Sequence, residues 1–232
     1  SENCAGPMTV LNTIMRETLT QFKTDVDALI DKGEKKEIAL LQVIQKYIVE
    51  SKKILFEGDG YSEAWENEAA KRGLPNIKTT PLALDAFTTK AAENIFERHN
   101  VYSKKESEAR HEILLENYTK KIQIEARIIG DMASTYILPA AIKYQNVLLK
   151  NMRGLKELGF DENNYAAQKL IAQKISEHIN VINTSVKAMI EARKVANAIS
   201  NSREKAIAYC DNVKKHFEEI RYHVDKLELL ID

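Results

Sequence analysis

The sequence predicts an all-α fold, an elongated helical bundle with one long Pro-kinked central helix and an N-terminal helical hairpin. Three observations predict it. Apolar residues recur at steps of three and four along almost the whole chain, the spacing that lines one face of an α-helix. No stretch shows the strict alternation of a half-buried strand, and no repeat or low-complexity tract competes. The 232 residues include four prolines and eight glycines, and these cluster at the breaks between periodic segments.

Residues 1–6 read as a lead-in loop, and Pro7 suits a first helical turn. Leu11, Met15, Leu19, Phe22, Val26 and Leu29 carry a helix to Lys32, where Gly33 stops it. A second helix is expected from Glu34 to about Phe56, with Ile38, Leu41, Val43, Ile44, Tyr47, Ile48, Ile54 and Leu55 on its apolar side. So short a connection makes the pair an αα-hairpin. Gly58 and Gly60 flank Asp59 in a turn that allows positive φ. Ser62 is placed to cap a short helix carrying Trp65, Ala69 and Ala70, ended by Gly73, Leu74 and Pro75. Trp65 and Tyr61 are expected to pin this connector to the bundle. Thr80 and Pro81 then read as N-cap and first residue of a helix running to about His99, with Leu84, Phe87, Ala91, Ile95 and Phe96 facing inward. Asn100 to Tyr102 make the next turn.

The central helix is predicted from Ser103 to about Lys150. Ser103 and Glu106 form an S-x-x-E capping box. The predicted stripe is Ile113, Ile122, Ala126, Ile129, Ala133, Tyr136, Ala140, Tyr144 and Val147, widened by Leu114, Leu115, Tyr118, Ile124, Ile128 and Ile137. A helix apolar on several sides must be surrounded by others. Pro139 lacks an N–H and its ring collides with the carbonyl of Thr135, which predicts a kink. After Leu158 and Gly159, Asp161 is placed to cap a helix reaching Ile199, with core face Ala167, Ile171, Ile175, Ile179, Ile182, Val186, Met189 and Ile190. Residues 200–202 are expected to break the helix with Ser202 as the next cap, a continuous helix being the alternative. The last helix has a narrow seam of Ala206, Tyr209, Val213, Phe217, Ile220, Val224, Leu227 and Ile231.

Composition excludes several function classes. Lys plus Arg equals Asp plus Glu at 34 each, so no net field draws the chain to nucleic acid or anionic lipid. No apolar run approaches the ~18 residues of a membrane span, and no secretion signal is visible. Cys4 and Cys210 are too few for a disulfide framework and fit reduced thiols in a cytoplasmic protein.

Candidate chemistry is sparse. Glu108 and His111 form an E-x-x-H pair, the spacing of di-iron carboxylate bundles, but a second such pair and two further inward glutamates are missing; Glu219 and His223 are one residue too wide. Glu108 is expected instead as a helix-start carboxylate that complements the dipole. His99 sits near a helix C-terminus, His178 at a bundle edge, and His216 and His223 flank the last seam. Cys210 reads as near-core. The Gly58-x-Gly60 pair has no preceding strand and no longer glycine fingerprint, so it reads as a connector and not a phosphate loop. No catalytic, cofactor-binding or metal residue is assigned.

Three stretches nevertheless carry a resemblance. SENCAGPMTVLNTIM resembles the S-x-N-C-A-G-P-x-T-V-L-N-T-I segment of type III glutamine synthetases, with Met8 where Asn is usual. FEGDGYSEAWENEAAKRGLPNIKTTP, residues 56–81, is similar to that family's G-x-G-Y-S-x-x-W…E-A-x-x-R-G-L-x-N-x-x-T run. SEARHEILLENYTKKIQIEA and ILPAAIKYQ look like its S-R-x-E-x-x-L-E-x-Y and P-A-x-x-x-Y-Q runs. The likeness is specific to about Gln145 and looser beyond.

The resemblance implies the C-terminal helical region of such an enzyme, with residues 1–56 a hairpin leading out of the catalytic domain and 57–232 a bundle continuous with it. It implies a parent ligase joining ammonia to glutamate through a γ-glutamyl phosphate. ATP and Mg or Mn would be held by a barrel that precedes this region, and family chains continue past the position of Asp232. This stretch would then be non-catalytic, packing against its own barrel and neighbouring subunits of a double-ringed dodecamer. Part of the hairpin's apolar face would belong to a neighbour. Two other readings stand beside it: a stand-alone interaction or sensory helical module, resting on the 206–231 seam, and a ferritin-like metal-binding bundle, resting on Glu108 and His111.

Overall fold

The computed structural model describes residues 4–231, and among them every regular element is helical. In order these are α1 (Ala5–Ile30), α2 (Lys36–Ser51), α3 (Glu63–Lys71), α4 (Thr80–Leu84), α5 (Lys90–Arg98), α6 (Lys104–Met132), α7 (Leu138–Glu157), α8 (Ala166–Asn197), α9 (Ser202–Ala208) and α10 (Lys215–Glu228). The all-α expectation holds. Contacts divide the chain into two compact units, Ser1–His111 and Glu112–Asp232, and the division falls inside α6. The hairpin expected over residues 1–56 lies within the first unit, while the segment 57–232 contributes to both.

In the first unit, α1 starts earlier than expected. Of the lead-in segment, residues 1–3 lie outside the described residues; Cys4 precedes the helix, and Ala5 and Gly6 already belong to it. Gly33, at φ +97°, ends α1: its N–H donates to the Ile30 carbonyl at 2.8 Å and that of Glu34 to Leu29 at 3.1 Å. This αL closure satisfies two carbonyls that the helix end leaves free. It turns the chain so that α2 returns along α1. Val26, Ala39 and Val43 are buried between them, with Phe22, Leu29, Leu40 and Tyr47 around. The Phe22 and Tyr47 rings meet edge to face at 5.7 Å. The second helix stops at Ser51, short of the expected Phe56, in a tight turn over Lys52–Ile54.

Ser62 caps α3 as expected, its Oγ accepting from the Trp65 N–H at 3.3 Å, and Gly73 at φ +67° closes it. The turn at Gly58 and Gly60 uses no positive φ; a Cβ at Gly58 would lie 2.8 Å from the Phe56 ring, which rests on Trp65 at 4.8 Å. One detail of the connector differs: Tyr61 is 99% exposed and pins nothing. Arg72 does that instead, donating to the carbonyls of Leu55 at 2.5 Å and Lys53 at 3.2 Å.

The helix expected over residues 80–99 is broken. Thr79, not Thr80, precedes α4, and Asp85–Thr88 form a tight turn. Thr89 then caps α5 by accepting from the Ala92 N–H at 3.3 Å. A threonine that can serve as a cap competes with helix continuation, and here it wins. Ala91, expected inward, is exposed, while Glu93 is buried with Lys90 and Lys104 each 3.7 Å from it. Asn100, at φ +53°, closes α5.

The capping box at the start of α6 is formed. The Ser103 N–H reaches Glu106 Oε2 at 2.8 Å and the Glu106 N–H reaches Ser103 Oγ at 3.3 Å. From there the helix runs into α7 and ends at Glu157, beyond the expected Lys150. It is interrupted by a π-turn at Ala133–Ile137, where the Leu138 N–H bonds the Ala133 carbonyl. Pro139 stands just after it, at the start of α7. The irregularity predicted from the proline is therefore a widened turn upstream of the ring. An extra residue in one turn rotates the following face. The core side after Ala133 becomes the half-buried Ile137 with the buried Ala141 and Leu148, while Tyr136, Ala140 and Val147 face outward.

Gly159, at φ +83°, ends α7. Asp161 offers no side-chain cap and precedes a short 3-10 turn, so α8 starts at Ala166, and it ends at Asn197 before the expected Ile199. The break at residues 200–202 is present, with Asn201 and not Ser202 as the cap, accepting from the Glu204 N–H at 3.0 Å. The last seam is as predicted: Ala206, Tyr209, Val213, Ile220 and Leu227 are buried and Phe217, Val224 and Ile231 half-buried. A second π-turn at Tyr209–Val213 divides α9 from α10. These helices close on α8, whose Ala172, Ile175, Ile182, Val186 and Met189 form the centre of the core. Ala167, expected on that face, is exposed.

Because Ile182 is fully buried in that core, Ile182→Ala is expected to cost about 2–5 kcal/mol. Chemical denaturation followed by circular dichroism measures this; a loss under about 1 kcal/mol would mean the α8 seam is loosely packed.

Candidate functional site

The residues flagged in the sequence do not converge. His111 Nε2 faces Asp85 Oδ1 at 3.2 Å, while Glu108 is exposed beside Lys104 at 3.9 Å. The E-x-x-H pair thus meets different partners. Among the described residues no group of three or more His, Cys, Asp or Glu side chains is arranged to hold a metal. His99 is buried at the C-terminus of α5, its Nε2 2.6 Å from Glu17 Oε2, and its carbonyl accepts from Arg16 at 3.2 Å. Arg98 pairs with the other Glu17 oxygen, so α1 and α5 are tied by one carboxylate.

In the second unit His178 and His223 face each other through their Nδ1 atoms at 2.8 Å. One ring must donate and the other accept, so the pair is not compatible with two imidazolium ions. Burial, and after it the neighbouring His223, holds the His178 imidazole below its ordinary value of 6.5. Glu177 works the other way, and Lys226 and Lys174 work with burial. His216 is held low by burial and then by Lys215. Cys210 is half-buried and hydrogen-bonded with Tyr118, whose phenol is pushed far up by burial first and that bond second. Ser185, buried on α8, donates to Glu219 Oε2 at 2.5 Å.

A polar network that sequence reasoning missed lies where α6 meets the end of α8. The Gln123 Nε2 donates to Asn197 Oδ1 at 3.0 Å and to the Tyr209 hydroxyl at 3.1 Å. Tyr209 in turn donates to Asn197 at 2.6 Å. It carries the fully buried Tyr209 into the core with its hydroxyl satisfied.

The feature most unlike an ordinary surface is apolar. Along α1, Met8, Leu11, Met15 and Leu19 are 51–61% exposed, and along α2 Leu41, Ile48 and Val49 are 54–62% exposed. Leu11, Met15, Leu19 and Leu41 belong to the apolar sides read from the sequence, but the two helices close on each other only at Phe22, Val26 and Val43. A shallow depression lined by Phe22, Ile44, Tyr47, Ile48 and Leu55 adds to this surface. Beside it α1 and α5 leave an apolar groove of about 260 Å³ between Val10, Ile14, Phe87 and Phe96. The threonines of α1 add no free donors: Thr9, Thr13, Thr18, Thr20 and Thr24 each donate to the carbonyl four residues back, at 2.7–3.0 Å. Contiguous exposed apolar residues of this kind mark surfaces that pack against something else.

Comparison with known proteins gives this surface a context. A family model described as glutamine synthetase C-terminal domain matches residues 39–156. Over 236 aligned positions the chain is 42% identical to a glutamine synthetase of Bacteroides fragilis (strain YCH46), an alignment covering 100% of this chain and 32% of that protein. It is 29% identical to a glutamine synthetase of Butyrivibrio fibrisolvens, over 86% of this chain and 28% of that one. It is 27% identical to the type-3 glutamine synthetase of Dictyostelium discoideum, over 97% of this chain and 31% of that one. The chain therefore spans about a third of the length of these relatives.

The low-lying His178 makes stability depend on pH. Just below its ordinary 6.5 the unfolded chain holds more protons than the folded one, so stability rises with pH there and is lost as pH falls. His216 acts in the same direction. The thermal midpoint is expected to drop between roughly pH 7 and 5, and less steeply in His178→Gln, which keeps a hydrogen-bonding side chain against His223. Parallel slopes for the two proteins would remove His178 from the account.

Proposed function

Because the chain belongs to the glutamine synthetase C-terminal domain family, we propose that it is the helical C-terminal region of a type III glutamine synthetase, with a structural and oligomerising role. The parent enzyme in this reading ligates ammonia to glutamate at the expense of ATP, giving glutamine, ADP and phosphate. The reacting groups, and the Mg or Mn that would bind the nucleotide, lie in the other two thirds of the polypeptide. Charge stabilisation of a phosphoryl intermediate needs clustered carboxylates, metal and arginines in a closed site. That task suits a different part of the protein from one devoted to helix packing. A cytoplasmic enzyme assembled as a homo-oligomer, with the double-ringed dodecamer of the resembled family, is part of the same reading.

The observation that carries the structural role is the apolar surface of α1 and α2. Leu19 and Leu41, 61% and 54% exposed, have partners available in the catalytic domain or in a neighbouring subunit. The type-3 name of the Dictyostelium relative, aligned over 97% of this chain, supports the choice of class. No helix among the described residues is long and apolar enough to cross a membrane.

Two measurements test the proposal. The 232-residue chain incubated with glutamate, ammonia and ATP is expected to form no glutamine, while the longer gene product does. In the longer product, Leu19→Asp with Leu41→Asp is expected to weaken subunit assembly by about tenfold or more, since each charge would be taken out of water unpaired. Sedimentation velocity reads the assembly. Unchanged assembly and unchanged activity would overturn the packing role, and glutamine formation by the short chain would overturn the non-catalytic one.

A further inference from the structure

Where α6 passes the corner between α8 and α9, the second unit carries a pocket of about 340 Å³ with a polar lining. Thr119 and Lys120 come from α6, Ser200 from the corner, and Lys205 from α9. Two observations set it apart from an ordinary surface dip. The Thr119 hydroxyl is buried and has no hydrogen-bond partner in the protein, in a residue 9% exposed. The five threonines of α1 that donate to the carbonyl four residues back show what a helical threonine does when left to itself. Thr119 makes no such bond, and a buried donor without an acceptor is unfavourable unless something else supplies one.

The second observation is charge. Lys205 is half-buried and makes no ion pair among the described residues. Lys120 is balanced by Glu116 at 3.2 Å, the one carboxylate in the lining. Gln123 and Asn197, which also border the pocket, are tied to each other and to Tyr209, so their orientation is fixed. What remains uncommitted is a set of donors: two hydroxyls, of Thr119 and Ser200, and one ammonium. Cations are disfavoured by both lysines, and an uncharged apolar ligand would strand the donors.

We infer that this pocket binds a small oxyanion, a phosphate or a carboxylate, held by the Lys205 ammonium and by the Thr119 and Ser200 hydroxyls. The inference goes beyond the packing role and does not depend on it. Charge-assisted hydrogen bonds from lysine supply the attraction, and the two hydroxyls fix the position.

The experiment uses the 232-residue chain at constant ionic strength, titrated calorimetrically with sodium phosphate and separately with sodium succinate, with sodium chloride as the reference. Saturable binding of phosphate or succinate, absent with chloride, is expected; whichever saturates identifies the oxyanion. Lys205→Gln is expected to weaken it by about tenfold or more, the loss of one charge-assisted bond. Thr119→Val is expected to weaken it several-fold while leaving the thermal midpoint of the free protein unchanged or higher, because it removes an unsatisfied donor and keeps the shape. That variant separates a binding effect from a folding one. No saturable binding of either anion, or binding that both substitutions leave intact, overturns the inference.

Discussion

Every long helix here depends on keeping one apolar stripe in phase. An α-helix advances about 100° per residue, so a face repeated at strict steps of four drifts steadily around the axis. Two π-turns absorb that drift. At Ala133–Ile137 the extra residue brings Ile137, Ala141 and Leu148 round to continue the side begun by Leu115, Ile122 and Ala126. At Tyr209–Val213 it lets two successive steps of four, Tyr209 to Val213 to Phe217, stay on the face that meets α8. Without the widened turns the seam would leave α8, and Ile175, Ile182 and Met189 would lose their cover. Pro139 fits beside the first of them because a helix already wound wide there tolerates a missing donor.

The helices themselves were legible in the sequence, since each is written in steps of three and four and most are bounded by residues with a local mechanism. Ser62, Gly33, Gly73 and the Ser103–Glu106 box act over three or four residues, and the structure uses each as read. Failures occur where a local pattern has two outcomes. Leu84, Phe87, Ala91 and Ile95 suit one helix, but Thr89 can cap, and it breaks the run. Tyr136, Ala140 and Val147 continue the period that the π-turn interrupts. Nothing in single-residue spacing reports a turn that inserts one residue.

The polar pairings were illegible for a different reason. Glu17 meets His99, and Gln123 meets Asn197 and Tyr209, across 74 to 86 residues of chain. Such partners are chosen by packing and not by neighbours in sequence. His111 was visible as half of an E-x-x-H pair, yet its ring looks toward Asp85 on another element. The hairpin shows the same limit on its apolar side. Periodicity marks Leu11, Met15 and Leu19 as one line with Phe22 and Val26, but not which part of that line α2 reaches and which is left to another surface.

The threonines of α1 are set apart from that apolar line. At about 100° per residue, Thr9, Thr13, Thr20 and Thr24 fall on the side of the helix opposite Leu11, Met15 and Leu19, each hydroxyl folded back onto its own backbone. Thr18 stands beside the line, but its donor is already taken by the Ile14 carbonyl. A covering surface made of aliphatic side chains would therefore strand no threonine donor.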